Sequence, residues 1–225
     1  MLSLVVPVYN EEDVIETAAG NILKEFENSK IKLELILVNN GSTDNTGKIM
    51  ENLKQKNIKK VTLKANQTFG GGVIGGLKIA KGGYFGITCA GGKVPVSEIV
   101  RLYRIARENN IDFCKGDRGL KYSSKTRVIL SVIYGMLVRL FFSLKISDIN
   151  GYPIIIKRSV YEKIKPKLKN WNINVEMLHK ASKFGCKILS IPVKHGDRLA
   201  GASHVGMGVV WDMFVGLIRY RLAAK

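Results

Sequence analysis

Short apolar runs alternate with amphipathic stretches through the first half of the chain. Four of these runs are predicted as strands, at residues 2–8, 33–38, 61–63 and 84–89. Helices are predicted at residues 11–26, from an N-cap at Asp44 to residue 54, at 72–80, and from an N-cap at Ser97 to residue 109. Because strands and helices alternate, the pattern predicts βαβ units and an α/β fold with a mostly parallel central sheet flanked by helices.

Polar loops follow three of the predicted strands. They contain Tyr9, Asn39 and Cys89, each close to the point where its strand ends. In open α/β sheets, ligands bind beyond the carboxyl ends of the strands. We therefore expect these three loops to surround one cleft.

Two longer apolar segments lie in the second half of the chain. Residues 128–142 are predicted as a helix interrupted by Arg139, and residues 205–222 as an amphipathic helix with a basic end. A membrane span needs about 20 predominantly apolar residues, so neither is predicted to cross a bilayer. Membrane-surface attachment, an interface and packing on the domain all remain open. No linker or repeat is found, so residues 1–225 are predicted to form a single domain.

Charge narrows the choice of partners. The 225 residues include 36 Lys and Arg against 18 Asp and Glu, a net charge of +18. A net charge of this size favours anionic partners, namely phosphorylated ligands, an anionic membrane or nucleic acid. The alternative is that the lysines simply form a solvated surface. The basic residues are scattered and no nucleic-acid-binding motif accompanies them, so nucleic acid is not expected as a partner.

The cysteines and the first residues of the chain bear on location. The chain has three widely spaced cysteines, Cys89, Cys114 and Cys186. An odd number at such spacing does not suggest a disulfide framework and favours a reducing compartment. The first residues lack the basic stretch of a signal peptide. A cytoplasmic protein is therefore expected.

A glycine-rich phrase, FGGGVIGG, contains the spacing Gly70-x-Gly72-x-x-Gly75. Dinucleotide binding requires this turn directly after the first strand, and an acidic residue about 20 positions later. Neither condition is met, so the glycines are expected to allow close helix packing or close approach to a ligand.

The histidines do not form a hydrolase triad or a zinc motif. His179 lies within a predicted helix and is interpreted as structural. His195 and His204 flank the phrase GDRLAGAS, which contains Arg198. A loop with these donors suits a phosphate, and a solvated surface loop is the alternative.

Seven phrases together resemble family 2 glycosyltransferases of GT-A fold, and among them the dolichol-phosphate and polyprenyl-phosphate sugar synthases. In chain order they are VVPVYNEE, LVNNGSTDNT, NQTFGGGVIGGLKIAKGGYFGI, KGDR, SDINGYPIIIKRSV, NVEMLHKASKFGCKILSIPV and RLAGASH. The resemblance extends over nearly the whole chain. It implies transfer of a sugar from a nucleotide-sugar donor to a polyprenyl phosphate, by a protein peripheral at the cytoplasmic membrane face.

The resemblance also implies roles for individual residues. Nucleotide-sugar binding is assigned to Pro7, Tyr9, Glu11, Asn39, Asn40, Cys89 and Gly91. Catalytic phosphate contacts are assigned to Arg118, Arg127, Arg198 and Lys93. The acceptor-phosphate residues are Asp148, Glu176, Ser203 and His204. A membrane-anchored partner protein is a further candidate, because the long C-terminal membrane segments of some relatives have no counterpart in the 225 residues.

The chain departs from the family pattern where a metal is expected. An ungapped alignment places Cys89 and Gly91 at the aspartates of the family's D-x-D phrase, and Lys93 at a glutamine. The Mg²⁺ or Mn²⁺ implied by the family therefore lacks two carboxylate ligands. Two hypotheses follow: an enzyme in which Lys93 and arginines replace the ion, or a non-catalytic protein that binds a sugar nucleotide or lipid phosphate, or serves as a partner subunit.

Overall fold

The computed structural model describes residues 1–119, 125–197, 199–200 and 206–224. A seven-stranded sheet with the order β3-β2-β1-β4-β6-β5-β7 forms the centre of this part of the chain. Its strands are β1 Leu2–Val8, β2 Leu33–Asn39, β3 Ile58–Thr62, β4 Tyr84–Ile87, β5 Phe113–Asp117, β6 Ile154–Lys157 and β7 Ile188–Pro192. Only β6 runs against its neighbours, β4 and β5, so the carboxyl ends of the other six strands share one edge.

Helices cover both faces of the sheet. They are α1 Ile15–Asn28, α2 Thr46–Asn52, α3 Thr68–Leu77, α4 Val96–Glu108, α5 Lys125–Phe142, α6 Arg158–Ile164, α7 Ile173–Lys183 and α8 Met207–Ala223. Successive strand residues point to opposite faces. Leu4 and Val6 of β1 accordingly pack in the core with α1 and α4, whereas Val5 between them packs in the core with α3 and α7. The mostly parallel α/β fold predicted from the pattern is confirmed.

Several predicted boundaries are wrong by a few residues. Helix α1 begins at Ile15 rather than at residue 11, because residues 9–14 form the loop after β1. Helix α4 begins at Val96 after an N-cap at Pro95, so Ser97 lies inside it. Asp44 precedes the N-cap residue Asn45, yet its carboxylate accepts a hydrogen bond from the Thr46 N–H at 3.0 Å.

The region between β2 and β4 also differs from the prediction. Strand β3 spans Ile58–Thr62 rather than residues 61–63, and α3 spans Thr68–Leu77 rather than 72–80. The Asn66 side chain fixes the earlier helix start, because its oxygen accepts a hydrogen bond from the Thr68 N–H at 2.7 Å. The strand predicted at residues 84–89 ends at Ile87, which leaves Thr88 and Cys89 in the loop beyond the sheet.

The glycine-rich phrase lies inside α3 rather than in a turn after a strand. A Cβ at Gly72 would lie 2.9 Å from the Pro7 Cβ, and one at Gly76 would lie 2.9 Å from the Val38 Cγ2. Since real Cβ atoms are almost never this close to other atoms, the glycines permit α3 to lie directly on β1 and β2. The interpretation as close helix packing is confirmed.

The two apolar segments of the second half form α5 and α8, which pack against each other. The rings of Tyr134 and Phe214 meet edge to face with centroids 5.6 Å apart, and those of Phe142 and Tyr220 stack at 5.3 Å. His179 of α7 completes this contact, because its Nδ1 lies 3.0 Å from the Tyr220 hydroxyl. Among the described residues, no helix has the length and apolar character needed to cross a membrane.

Candidate functional site

The sheet register brings separate loops to one place on its carboxyl edge. Ile154 at the start of β6 pairs with Ile87 at the end of β4 and with Lys115 of β5. The residues after β4, after β5 and before β6 therefore meet beyond that edge. Strand β7 pairs with β5 up to Pro192, which adds the segment after β7 to the same group.

Arg118 and Asp148 form the central ion pair of this group. Arg118 donates from Nε to Asp148 Oδ2 and from Nη2 to Oδ1, both at 2.9 Å, and its main-chain N–H donates to Oδ2 at 3.1 Å. Burial acts to raise the pKa of Asp148, but the Arg118 hydrogen bonds and charge outweigh it and hold that pKa below its usual value. Burial likewise acts to lower the pKa of Arg118, and the Asp148 contacts raise it overall. The pair is therefore fully charged and geometrically fixed.

A buried lysine lies beneath this pair. The side chain of Lys115 is fully buried, and its Nζ donates to the main-chain oxygens of Gly116, at 2.9 Å, and of Asp148. Burial lowers its pKa from 10.5 to about 8, although the nearby Asp148 acts in the opposite direction. With Arg118 and Asp148 paired, the charge of Lys115 leaves the three residues with a net positive charge at neutral pH.

Gly151 makes this close arrangement possible. A Cβ at this position would lie 2.6 Å from Asp148 Oδ2 and 2.9 Å from Lys115 Nζ. Any side chain at Gly151 would therefore displace both groups. Sequence analysis did not identify Lys115 as a site residue, although a lysine within the apolar strand DFCKGD was a usable signal.

Lys93 lies in the same region, in the loop after β4. Its main-chain oxygen accepts a hydrogen bond from the Gly196 N–H at 2.8 Å, and the oxygen of Gly91 accepts one from the Leu199 N–H at 3.0 Å. The pKa of His195 is lowered, first by burial and then by the positive charges of Arg118 and Lys93. Main-chain hydrogen bonds therefore join the loop after β4 to the segment after β7, and the positive charges of Lys93 and Arg118 both act on His195.

The loops after β1 and β2 are joined to each other on the other side of the cleft. The main-chain N–H of Asn10 donates to the Ser42 hydroxyl at 3.0 Å, and that of Glu11 donates to the Thr46 hydroxyl at 2.8 Å. Tyr9 and Glu11 are both half-buried at this junction. Pro7 lies below them, against Gly72 of α3.

Asn39 and Asn40 hold these loops in place from within. The Asn39 oxygen accepts the Ser42 N–H at 2.9 Å, and the Asn40 oxygen accepts the Gln67 N–H at 3.0 Å. The Asn40 nitrogen donates to the main-chain oxygen of Thr68 at 2.8 Å. Both side chains are buried and used in loop contacts, so direct contact with a nucleotide stays a prediction for them.

The model of glycosyl transferase family 2 matches residues 3–165 of the chain. The chain belongs to glycosyltransferase family 2. This family 2 glycosyltransferase is 26% identical over 218 residues to a dolichyl-phosphate beta-glucosyltransferase of Dictyostelium discoideum, an alignment that covers 85% of this chain and 65% of that protein. It is 31% identical over 110 residues to an undecaprenyl-phosphate 4-deoxy-4-formamido-L-arabinose transferase of Proteus mirabilis, covering 48% of this chain and 34% of that protein.

The GT-A fold is also found in solved structures. Glucosyl-3-phosphoglycerate synthase of Mycobacterium tuberculosis, in complex with Mn²⁺, UDP-glucose and phosphoglyceric acid, superposes with a TM-score of 0.74. The superposition covers 99% of this family 2 glycosyltransferase and 79% of the other chain, with 16% sequence identity. The chain thus has the fold of that enzyme, and it spans between a third and two thirds of the two curated relatives named above.

The described residues of this family 2 glycosyltransferase do not suit a divalent metal. Mg²⁺ and Mn²⁺ prefer oxygen ligands, and the loop after β4 contains Cys89 and Gly91, which the ungapped alignment predicts at the family's aspartates. Asp117 and Asp148, at the same edge, use both of their oxygens in hydrogen bonds within the protein. Across the described ranges, no three or more His, Cys, Asp or Glu side chains are grouped so that they could hold an ion.

Glu176 lies in the first turn of α7 and is engaged within the protein. Its buried carboxylate accepts hydrogen bonds from the N–H groups of Lys167 and Leu168 at 2.9 and 2.7 Å, and from Lys180 Nζ at 2.6 Å. These contacts fix the segment that precedes α7. The assignment of Glu176 to the acceptor phosphate stays a prediction.

Four assigned residues cannot be placed in this family 2 glycosyltransferase. Arg198, Ser203 and His204 lie outside the described residues, as does the side chain of Arg127, whose backbone is part of α5. Their contacts with phosphate stay predictions.

Tyr152 is a site residue that sequence analysis missed. Its hydroxyl accepts a hydrogen bond from the Asn174 side chain at 2.7 Å, and burial raises its pKa well above the usual value. Its main chain lies against the end of β5, because the Gly116 N–H donates to the Pro153 oxygen at 2.8 Å and a Cβ at Gly116 would lie 2.5 Å from the Tyr152 oxygen. Its ring meets Phe69 edge to face at 5.3 Å, and Phe69 stacks on Trp171 at 5.5 Å. The phrase NGYP before β6 was the available signal.

Proposed function

We propose that this protein transfers a sugar from a nucleotide-sugar donor to a polyprenyl phosphate. The observation that carries the proposal is the bidentate Arg118–Asp148 pair above the buried Lys115, at the carboxyl edge of a GT-A sheet. A fixed site with excess positive charge suits substrates that both carry phosphate. Two relatives, described above, act on dolichyl phosphate and undecaprenyl phosphate, which supports this acceptor class.

A polyprenyl-phosphate acceptor does not require a general base. A phosphate monoester has a second pKa near 6, so a lipid phosphate is already a dianion at neutral pH. Its oxygen forms the new bond to the anomeric carbon of the sugar, and the bond from that carbon to the nucleoside diphosphate breaks. The leaving diphosphate keeps the electron pair, so no proton must be removed in this step.

Fixed cations then have to offset the charge of the leaving diphosphate. Arg118 uses Nε and Nη2 for Asp148, which leaves Nη1 as the guanidinium nitrogen not engaged in that pair. Lys93 lies close enough to His195 to lower its pKa, and Arg118 does the same. We propose that Lys93 and Arg118 neutralise the diphosphate, as fixed cations can in an active site.

Two exposed apolar stripes support contact with a membrane. On α5 the stripe consists of Ile129, Ile133, Met136 and Leu140, and on α8 of Trp211, Ile218 and Leu222. The spacings of three, four and seven residues place each stripe on one side of its helix. Leu140, Trp211 and Leu222 are each at least 66% exposed. We propose that both stripes lie on an anionic membrane at the cytoplasmic face, where a polyprenyl phosphate would be available.

The second candidate function is a non-catalytic sugar-nucleotide or lipid-phosphate binder, or a partner subunit. It is favoured by the lack of carboxylates at Cys89 and Gly91. The deciding experiment combines two measurements on the same preparation. Titration calorimetry with UDP and GDP, with and without EDTA and manganese, measures binding. Transfer of labelled sugar to polyprenyl phosphate in detergent measures catalysis. Binding without any transfer would favour the second function, and transfer abolished by Arg118→Ala would support the first.

A further inference from the structure

A cavity of about 380 Å³ lies where α5, α7 and α8 end. Its lining includes Phe142, Ser143, His179, Ser182, Lys183 and Arg221, and we refer to it as the basic pocket. It is separate from the Arg118 group. Asn174, near the start of α7, donates a hydrogen bond to Tyr152, which lies beside that group. Lys183 is nine residues further along the same helix, which at 1.5 Å per residue is a distance of about 13 Å.

The charged groups around the basic pocket are cations. The pKa of His179 is lowered, first by burial and then by the positive charges of Lys183, Arg221 and Lys180. The neighbouring carboxylate of Glu176 is engaged by Lys180 at 2.6 Å and by two main-chain N–H groups. Lys183 and Arg221 therefore give the pocket a positive charge that the described carboxylate does not offset.

The ends of the helices do not reverse this balance. A helix C-terminus has a partial negative charge that would oppose an anion. It amounts to roughly half an elementary charge for each helix. Lys183 is the last residue of α7 and Arg221 lies in the last turn of α8, so each of these two helix ends has a full positive charge beside it. The cationic side chains therefore determine what the pocket attracts.

The wall of the pocket is rigid and partly aromatic. The His179 ring packs on the Phe142 ring with centroids 4.7 Å apart, and its Nδ1 lies 3.0 Å from the Tyr220 hydroxyl. Phe142 also stacks on Tyr220. The planar guanidinium of Arg221 can bind two oxygens of a phosphate at once, and Lys183 adds a mobile point charge.

We propose that the basic pocket binds a phosphate ester, with Arg221 and Lys183 contacting its oxygens and the Ser182 hydroxyl donating a further hydrogen bond. Leu140 and Leu222 are exposed near the same ends of α5 and α8. They provide an apolar surface for the rest of the molecule, as in a phospholipid whose head group enters the pocket. A soluble phosphate ester has the same recognised group. This site goes beyond the sugar-transfer reaction and does not depend on it.

The test compares two arginines on one helix. Arg221 lines the pocket, whereas Arg219 is exposed and is not among the lining residues. Arg221→Gln and Arg219→Gln therefore remove the same charge from α8, and only the first should affect the pocket. Glycerol 3-phosphate, titrated by NMR, is the soluble probe. Vesicles of phosphatidylcholine with and without phosphatidic acid, in a flotation assay, are the lipid probe.

We expect Arg221→Gln to weaken binding of at least one probe by about tenfold, the effect of losing a hydrogen bond to a charged group. Lys183→Gln should act in the same direction, and Arg219→Gln should have less than about a twofold effect. In the NMR titration, the shifts of the pocket residues should persist in Arg118→Ala, which separates the pocket from the candidate transferase site. If the variants change glycerol 3-phosphate binding in this way, the ligand is a soluble phosphate ester. If they change only the binding to phosphatidic acid vesicles, the ligand is a lipid. Equal losses in the two arginine variants, or no binding of either probe by the wild type, would overturn the proposal.

Discussion

The side-chain nitrogen of Asn40 donates a hydrogen bond to the main-chain oxygen of Thr68 at 2.8 Å. The oxygen of the same amide accepts the Gln67 N–H at 3.0 Å. An amide offers a donor and an acceptor together, whereas an ionised carboxylate only accepts. Asn40 thereby fixes the start of α3, a dual role that an ionised aspartate could not fill.

Asn40→Asp should destabilise the protein. The new carboxylate would face the Thr68 oxygen with no donor between them, and we expect a loss of about 1–3 kcal/mol in the free energy of unfolding. Urea denaturation of both proteins at pH 7 measures this loss.

Asn39→Asp is the matched control for that substitution. It also introduces a carboxylate at a buried position, but the described role of the Asn39 oxygen is to accept the Ser42 N–H, which aspartate retains. The loss at position 39 should be clearly smaller than the loss at position 40. Equal losses would mean that burial of charge, and not the missing donor, explains both.

Arg118→Lys should lower sugar transfer even though it keeps the charge. Lysine cannot reproduce the two 2.9 Å contacts from Nε and Nη2 to Asp148. We expect about a tenfold to hundredfold reduction in kcat/KM for labelled sugar transfer, corresponding to one charged hydrogen bond. Arg158→Lys is the control, since the Arg158–Glu162 pair is exposed on α6 and has no part in the site. Wild-type activity in Arg118→Lys would remove the bidentate pair from the mechanism.

Metal dependence tests the role proposed for Lys93. If fixed cations neutralise the diphosphate, the wild type should bind UDP or GDP in EDTA, and Lys93→Ala should weaken that binding. The triple variant Cys89→Asp, Gly91→Asp, Lys93→Gln restores two hard oxygen ligands and removes a competing charge, so its binding should require manganese. Calorimetric titrations with and without manganese measure each case. Wild-type binding that occurs only with manganese would show that the ion finds other ligands and that Lys93 does not replace it.

Trp211 can report on the membrane contact. The chain has two tryptophans, and Trp211 is 70% exposed on α8, whereas Trp171 stacks on Phe69. In Trp171→Phe, the emission of Trp211 should shift to shorter wavelength on vesicles that contain phosphatidylglycerol, and salt should reduce the shift. Leu140→Ser should weaken the response. Trp211→Phe, which retains Trp171, is the control, and its emission wavelength should change little on the same vesicles. If the emission of Trp171→Phe does not shift at low salt, membrane contact through this face is excluded.

Lys115 should make stability depend on pH above neutrality. Burial lowers its pKa from 10.5 to about 8, so between these values the unfolded chain holds a proton that the folded chain has released. The free energy of unfolding therefore gains a contribution that rises with pH across this window. Relative to Lys115→Met, the wild type should gain roughly 1.4 kcal/mol for each unit of pKa shift. Urea denaturation of both proteins from pH 7.5 to pH 10 measures the difference, and a constant difference would mean that Lys115 titrates normally.

Sequence patterns alone predicted the α/β class, the existence of the first four strands and the family resemblance. These follow from local information: strand and helix periodicities are visible in short windows, and the motif phrases occur in chain order. The interpretation of the glycines of α3 as packing residues was reached in the same way, because glycine at such spacing has few other uses. Tyr9 was found because it follows the end of a strand, whereas Arg118 and Lys93 were found by comparison with the family's motif phrases.

Tertiary contacts show which residues lie together. Lys115 becomes a buried cation because β5 lies inside the sheet, and its contact with the main chain of Asp148 depends on a loop 33 residues away. The carboxylate of Glu176 meets the chain before α7, and the antiparallel β6 returns Tyr152 to the edge where the other strands end. The basic pocket likewise exists only where three helix ends meet. Such contacts depend on the register of strands and the packing of distant helices, which no local pattern specifies.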